Sequence, residues 1–361
     1  MSLVKGNFKA RDLKQINTFD SNNPDHMAML PSLGISYGAN GVESFGMDAQ
    51  ESFIAGGVSA NISNLREFLP GTVKQLTRVR KIDELLGMVT VGDWYMQEIT
   101  QRVEEQTATV KPYADGVDIP FTSYNADYES RDIVRFVIGM QSEMLGDGRA
   151  RKMGENPDEI KRSAAATALE IARNEVGFYG YNTGINKTYG FLNDPNLSAY
   201  VTLPNGAGGN PEWNTKTFVE RQTDFTSAVS SLRKTSGGNF DPTLHSFTWA
   251  IPLERADTLT EVNEFGISIQ KWINETYPKC RIIYVPELDG ANGGANVFYM
   301  YADDHMNDST DGGGVFDQLV PEKFMSIGRG QEVGGYKEGF TNALAGVLMK
   351  RPYLVYRATG M

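Results

Sequence analysis

The sequence has little of what catalytic and disulfide-bonded proteins use. Its 361 residues include one cysteine, Cys280, and three histidines, His26, His245 and His305. A single cysteine excludes a disulfide within the chain, and no cysteines and histidines stand at zinc-site spacing. None of the histidines lies near a nucleophile motif, so no hydrolase triad is predicted. Because Cys280 opens an apolar run, we expect its thiol to be buried and unreactive.

Long apolar runs and an excess of positive charge are also lacking. No run approaches the roughly 18 apolar residues of a membrane span, and the first residues lack the apolar core of a signal peptide, so no membrane association is expected. The net charge of −11 argues against a protein whose main task is to grip nucleic acid, because that affinity comes from clustered Lys and Arg. The basic cluster Lys74, Arg78, Arg80 and Lys81 predicts either a solvated, salt-bridged face or a weak contact with enclosed nucleic acid.

Glycine and proline, in contrast, are abundant. The 38 Gly and 15 Pro residues predict an irregular, extended molecule rather than a compact α/β enzyme. The Gly-rich segments 34–57 and 206–209 lack the Gly-Lys-Ser/Thr ending of a phosphate-binding loop, so we expect flexible or turn-forming glycine there. Residues 1 to about 60 show no sustained period and predict an extended arm, followed by a short helical piece at 64–68.

One acidic segment could bind a metal ion. Asp303, Asp304, His305, Asp308 and Asp311 could supply oxygen and nitrogen ligands to a divalent cation, although their spacing matches no calcium loop. The alternative is a solvated acidic loop, which is the common role of such segments. We expect the solvated loop, and therefore predict no catalytic, cofactor-binding or metal-binding residues and no cofactor.

A long exposed hairpin is the most informative feature that is present. Two strand-like runs, Gln97–Tyr113 and Tyr128–Met140, flank a polar tip with Gly and Pro at Ala114–Pro120. The return run is more apolar near its base, so we expect a buried base and a free tip. An isolated two-stranded ribbon is marginal in water, and exposed strand edges are usually covered by another element or chain. The hairpin therefore predicts a partner surface and not a catalytic pocket.

A long helix follows the hairpin. Asn156 is the predicted cap, Pro157 the first helical residue, and Glu159 the acid three residues after the cap. The predicted apolar stripe is Ile160, Ala164, Ala168, Ala172 and Val176, widened by Leu169 and Ile171, and the predicted polar face is Lys161, Arg162, Glu170, Arg173 and Glu175. Gly177 and Gly180 end the helix. We expect a rod about 30 to 36 Å long that lies flat against a sheet.

From residue 213 the pattern alternates between helix and strand, which predicts a second compact unit. The predicted helices are Thr217–Thr235, Glu254–Thr260 and Ile267–Glu275. The predicted strands are Ser246–Ile251, Cys280–Val285 and its neighbour Asn296–Ala302. A tail of β character spans Thr341–Tyr356.

Three segments carry a resemblance to a known family. Tyr189–Pro195, which reads Tyr-Gly-Phe-Leu-Asn-Asp-Pro, is similar to a turn that follows the long helix in that family. Trp249–Leu259 and Ile283–Gly290 are similar to two strand-Pro segments that frame one of its domains. With the order arm, hairpin, long helix, β/α unit and returning strands, residues 60 to 361 resemble the major capsid proteins of tailed bacteriophages, which have the Hong Kong 97 fold.

The resemblance implies an α+β, Hong Kong 97-like fold with an N-terminal arm, an E-loop hairpin, a peripheral domain with a long spine helix at about 156–180, and an axial domain. The implied divisions are an arm at 1–95, an E-loop at 96–145, a peripheral domain at 146–212, an axial domain at 213–330 and C-terminal strands of the peripheral domain at 331–361. The implied function is that of a major capsid protein, which is not an enzyme. It self-assembles into pentamers and hexamers of an icosahedral shell enclosing phage double-stranded DNA.

The resemblance also implies where the protein works and what it meets. It places the protein in the virion after assembly in the host bacterial cytoplasm, with itself as partner and with scaffolding, portal and decoration proteins as further candidates. Some members cross-link a hairpin Lys to an Asn of a neighbour, and Lys111 and Asn342 occupy comparable regions here, without an identifiable promoting Glu. Two other functions remain open at this point: an encapsulin-type nanocompartment shell, and a metal-dependent enzyme using Asp303–Asp311. A tail-tube or other virion protein is a further alternative.

Overall fold

The computed structural model describes residues 79–361, except 117, 183–185 and 305–308. The strands of these residues are β1 Glu98–Thr107, β2 Ser123–Asp132, β3 Val134–Glu143, β4 Val201–Thr202, β5 Phe247–Pro252, β6 Cys280–Val285, β7 Val297–Ala302, β8 Phe316–Gln318, β9 Glu322–Glu332, β10 Gly335–Leu344, β11 Val347–Met349 and β12 Val355–Thr359. The α-helices are α1 Ile82–Leu86, α2 Met144–Lys152, α3 Pro157–Tyr179, α4 Phe218–Thr235, α5 Ala256–Thr260 and α6 Ile269–Thr276.

Several predictions concern residues that the structure does not describe. The extended arm, the short helical piece at 64–68, the Gly-rich segment 34–57, and Lys74 and Arg78 of the basic cluster lie outside the described residues. Within the described part, no helix is long and apolar enough to span a membrane.

The predicted hairpin is confirmed in its position and corrected in its extent. Strands β1 and β2 pair antiparallel from Glu98 opposite Asp132 to Thr107 opposite Ser123. The prediction that the return arm runs to Met140 is wrong beyond Asp132, because β3 leaves the hairpin and pairs with β10. The reason is composition: β2 is largely polar, whereas the apolar residues that follow require a covered sheet.

The sheet beneath the long helix has the strand order β3-β10-β9. Ala165 and Leu169 of α3 pack on Met140 of β3 and on Tyr336 and Phe340 of β10. The prediction that the rod lies against a sheet is therefore confirmed. The helix ends at Tyr179, and Gly180 follows with a φ of 70°, a backbone conformation that favours glycine, whereas Gly177, also predicted at the end, lies within the helix.

The start of α3 is also confirmed, with Asn156 at the cap position and Pro157 in the first turn. The Asn156 side chain makes a different bond from the one expected. Its Nδ2 donates to Oε2 of Glu159 at 3.1 Å, and its Oδ1 accepts no backbone N–H of the first turn. The Pro and the two acidic residues of the first turn, Asp158 and Glu159, remain as start signals.

The predicted apolar stripe of α3 is confirmed at Leu169 and Val176, which are buried, and wrong at Ile160 and Ala164, which are exposed. Ile160 is 60% exposed, whereas Leu169 is 4% exposed, and the buried stripe runs through Ala165, Leu169 and Arg173. Arg173 was predicted on the polar face, yet it is buried and pairs with Asp83 of α1 at 2.6 Å. The spacing of the alanines is a poor guide to the buried face, because alanine favours helix whether it is buried or exposed.

The second unit contains a five-stranded sheet in the order β4-β12-β7-β5-β6. Strands β5 and β6 are parallel, and β7 is antiparallel to both β5 and β12. The prediction that the strands at 280–285 and 296–302 are neighbours is wrong, because β5 lies between them. Every residue of β7 is buried, which suits a central strand, whereas β6 is only partly buried and lies at the edge.

The C-terminal strands do not all join one sheet. Strand β10 belongs to the sheet beneath α3, β11 pairs with β8, and β12 lies inside the five-stranded sheet. The implied division of 331–361 as C-terminal strands of the peripheral domain stays a prediction. Strand β9, which spans the implied boundary at residue 330, pairs with β10. Short strands separated by turns carry no local signal of their partner.

Candidate assembly surface

The hairpin projects from the rest of the described chain without cover. We call β1, β2 and residues 108–122 between them the ribbon, and residues 108–122 its tip. Ten residue pairs span about 30 Å at roughly 3.4 Å per residue. Except at the base, side chains on both faces are exposed, and no third strand of the described residues pairs with either edge. Such a ribbon lacks the covering layer that a stable sheet needs.

The tip carries large apolar side chains in water. Val110 is 95% exposed, Tyr113 92% and Phe121 88%, and Ile119 is also exposed, as is Tyr124 next to the tip in β2. Burying one such side chain is worth about 1.5 to 3 kcal/mol, and contiguous exposed apolar groups mark interaction sites. The tip is therefore a contact surface that the single chain leaves unfilled.

The charge of the ribbon limits what it can contact. Residues 98–132 include eight acidic and three basic residues. One ion pair within β1 joins Arg102 Nη2 to Glu104 Oε1 at 2.7 Å, with both side chains about half exposed. An acidic ribbon repels nucleic acid and favours a protein surface that offers cations or apolar groups.

Two arginines fasten the base of the ribbon. Arg131 at the end of β2 pairs with Asp194 at 2.7 Å, and both side chains are buried. Arg135 at the start of β3 donates from Nε to the carbonyl of Trp94 at 2.7 Å and lies over the Trp94 ring. A second bond runs from Arg135 to the carbonyl of Met96. The expected buried base and free tip are thus both observed.

A second exposed apolar surface lies where β3 passes into α2, beside the β9–β10 turn. Met144, Leu145 and Val333 are exposed there, and we call these three residues the α2 surface. Two basic residues of the last turn, Arg149 and Lys152, make no ion pair with any described residue.

One carboxylate holds α2 against its neighbours. Asp147 accepts from Lys161 Nζ at 2.8 Å and from Ser142 Oγ at 2.7 Å, and it also accepts from the backbone N–H of Glu143. The hydrogen bond from Lys161 is the main reason that the pKa of Asp147 falls to about 2. A helix of nine residues with two glycines would be marginal alone, so this contact positions it.

The suggested cross-link residues are not both available. Lys111 lies in the tip, but Asn342 is fully buried. Its Oδ1 accepts from the backbone N–H of Phe136 at 3.3 Å, and its Nδ2 donates to the carbonyl of Leu169 at 3.2 Å. A lysine of another copy could reach this amide only if the sheet beneath α3 opened, so the burial of Asn342 does not favour a cross-link there.

We therefore expect assembled particles to contain separable subunits. Boiled in detergent and run on a denaturing gel, they should give a single band at monomer mass, because Asn342 cannot meet a lysine. A ladder of dimers and larger covalent species that survives boiling and reductant would contradict this. A Lys111→Arg variant with the same ladder would then show that another lysine forms the bond.

The acidic residues at 303–311 serve the fold. Asp304 accepts from Ser246 Oγ at 2.7 Å, and Asp303 accepts from Thr248 and Arg281. Asp311 pairs with Arg351 at 2.7 Å and with Lys350 at 3.2 Å, and these cations lower its pKa. Among the described residues no three His, Cys, Asp or Glu side chains are grouped to hold a metal ion. His305 and Asp308 lie outside the described residues.

The remaining candidates also have structural roles where they are described. Residues 206–209 form a turn, with the N–H of Gly209 donating to the carbonyl of Gly206 at 2.9 Å. Arg80 pairs with Glu170 at 3.0 Å and Lys81 with Glu84 at 2.5 Å, as expected for a salt-bridged face. Burial raises the pKa of the Cys280 thiol, which keeps it protonated and unreactive.

Comparison with known proteins places the chain among shell proteins. The profile of the family described as Pa193 gp26 major capsid protein matches residues 56–360. Comparison with curated protein sequences gave no match.

Solved structures with a similar fold include capsid and phage chains. One, the capsid of Myoviridae phage XM1, has a TM-score of 0.65 and 13% identity over 86% of this chain and 100% of that chain. The capsid of a native GTA particle has a TM-score of 0.54 and 9% identity over 84% and 97%. A chain of Mycobacterium phage Bobi has a TM-score of 0.54 and 9% identity over 83% and 97%. At these identities the likeness concerns the fold.

Proposed function

This chain belongs to the Pa193 gp26 major capsid protein family, and from that premise we propose that its ribbon is the main contact between copies in an icosahedral phage shell. The chain is a shell-forming structural protein of the virion and not an enzyme. The observation that carries the proposal is the uncovered ribbon with Val110, Tyr113 and Phe121 almost fully exposed at its tip. A protein that worked as a monomer would gain nothing from such a surface.

The structural units correspond to the parts of the Hong Kong 97-type fold, in our assignment. The ribbon is the E-loop, α3 is the spine helix, and the sheet β3-β10-β9 beneath α3 forms the peripheral domain. The five-stranded sheet with α4, α5 and α6 forms the axial domain, now including the C-terminal strand β12. Support comes from the strand order and from the packing of α3 on β3 and β10.

We propose the α2 surface as the place where another copy's ribbon tip rests. Both surfaces expose large apolar side chains, and the basic Arg149 and Lys152 complement an acidic ribbon. Each such contact is modest, since apolar burial must first offset the cost of association. Repetition around closed rings of five and six subunits supplies the stability, because every copy is held by several neighbours at once.

The shell encloses double-stranded DNA, in this proposal, without gripping it. A net charge of −11 permits at most weak contact at local basic positions. Assembly takes place in the host bacterial cytoplasm, and scaffolding, portal and decoration proteins are proposed as further partners. The encapsulin-type shell and the metal-dependent enzyme are not favoured, because the family is one of major capsid proteins.

Electron microscopy of the purified protein after assembly tests the proposal directly. We expect closed, roughly spherical shells of uniform size, together with five- and six-fold rings as intermediates. Open tubes would indicate a tail-type protein instead. A monomer that persists at high protein concentration, over a range of salt and with crowding agents, would refute the proposal.

A further inference from the structure

The direction of the ribbon has to be set at its base. Most of the ribbon is exposed on both faces, so few contacts of the same chain can hold it at an angle. At the base the strand is interrupted at one residue, Ile133, which lies between β2 and β3 and belongs to neither. Only its N–H continues the ladder, by donating to the carbonyl of Gln97 at 2.8 Å. A single break between two strands is a point where a ribbon could turn.

Arg131 lies beside this break and makes contacts in several directions. Its Nη2 is 2.7 Å from Asp194 Oδ2, its Nε donates to the carbonyl of Val347 at 3.2 Å, and its Nη1 donates to the carbonyl of Ser130 at 2.9 Å. Its guanidinium lies over the ring of Tyr189, 5.1 Å from the centroid. The side chain is only 5% exposed and that of Asp194 is fully buried.

The neighbouring residues of β2 contact the same connection. The Asp132 carboxylate accepts from the backbone N–H of Lys187 at 2.6 Å, and its carbonyl accepts from Thr188 Oγ1 at 2.8 Å. Glu129 Oε1 accepts from Asn196 Nδ2 at 2.5 Å. Three of the last four residues of β2 are thus bonded to residues 187–196, which follow α3.

Residues 187–196 are themselves held in the hydrophobic core that includes β7. Phe191 in their middle is fully buried and packs against Tyr299 of β7, with ring centroids 4.4 Å apart. The N–H of Val347 in β11 donates to the carbonyl of Tyr189 at 2.8 Å. Arg131 therefore links the ribbon to segments anchored in the core of the five-stranded sheet, and not to the sheet beneath α3.

We propose that Arg131, with Asp194, is a positioning residue that sets the direction of the ribbon relative to the five-stranded sheet and so the curvature of the shell. The inference rests on the proposed role of the ribbon as a contact between copies. An arginine suits this role because its planar fork bonds a carboxylate and carbonyls in fixed directions at once. A lysine in its place would reach one acceptor at a time, and would leave the angle of the ribbon loosely defined.

Four variants separate positioning from plain stability. Arg131→Met leaves Asp194 as a buried, unpaired charge, so its subunit should unfold at a clearly lower temperature. Arg131→Met combined with Asp194→Asn removes that charge and should recover most of the loss. Arg131→Lys keeps the charge but not the fork. Arg162→Met on α3 is the matched control, since its half-exposed ion pair with Glu338, at 2.8 Å, lies outside both the ribbon and the α2 surface.

The decisive readout is the spread of particle diameters in electron micrographs, compared with the unfolding temperature of each subunit. We expect Arg131→Lys and the double variant to assemble with at least a several-fold loss of uniform shells, although the double variant unfolds near the wild-type temperature. Arg162→Met should resemble wild type in both measurements.

The proposal is overturned if shell uniformity simply follows subunit stability, so that the double variant gives wild-type diameters. It is equally overturned if Arg131→Lys does so. Should Arg131→Met fail to fold, those two variants still decide the matter. Failure of the proposed function looks different, because wild type itself would then form no shells.

Discussion

Loss of Ala114–Pro120, the middle of the ribbon tip, is expected to abolish closed shells while leaving a folded subunit. Replacing Ala114–Pro120 with a short Gly-Ser linker removes the end of the ribbon, including Ile119, which is exposed. Among the described residues of this segment, none belongs to a buried core cluster, so the free energy of unfolding should change by less than about 0.5 kcal/mol. Shell yield should fall by orders of magnitude, because the lost contact recurs in every subunit.

Size-exclusion chromatography with negative-stain microscopy measures the yield, and circular dichroism with thermal unfolding checks the fold. A finer variant keeps the length of the tip and changes only its aromatic groups, Tyr113→Ser with Phe121→Ser. This variant should also lower the yield of closed shells, whereas Thr109→Ser with Thr122→Ser should leave the yield unchanged. Normal shells from the tip-replaced protein would disprove the role of the ribbon.

Local signals explain what the sequence could predict. The start of α3 is encoded by Asn156, Pro157 and the acids that follow, and its end by Gly180, all within one turn of the boundary. The ribbon is visible because its two strands are close in sequence and flank a tip with Gly and Pro. Capping and hairpin signals act over a few residues, so one sequence suffices to read them.

Strand partners and buried charges depend on residues far apart in the chain, so the sequence alone does not reveal them. Strand β3 pairs with β10 about two hundred residues later in the chain, and only the fold brings them together. Arg131, Asp147 and Arg173 are buried, but in the sequence they resemble ordinary surface residues, since charged groups are almost always exposed unless paired. One signal could have raised suspicion about Arg131: Asp194 lies in the segment 189–195 that carries the family resemblance.

Which face of α3 packs on the sheet can be tested by placing the same charge at a buried and at an exposed position of the helix. Leu169→Glu would place a carboxylate among Met140, Tyr336 and Phe340, where Leu169 is 4% exposed. We expect the subunit to lose about 3 to 5 kcal/mol of unfolding free energy, from lost apolar burial together with the cost of an unpaired buried charge. Urea denaturation followed by circular dichroism measures the loss.

Ile160→Glu is the matched control, because it makes the same kind of change on the same helix at a side chain that is 60% exposed. Its unfolding free energy should stay within about 0.5 kcal/mol of wild type. The stripe predicted from alanine spacing gives the reverse expectation for Ile160, since it places that residue against the sheet. Equal losses in the two variants would mean that α3 does not pack on β3 and β10 through Leu169, and the sheet beneath the helix would then need another packing partner.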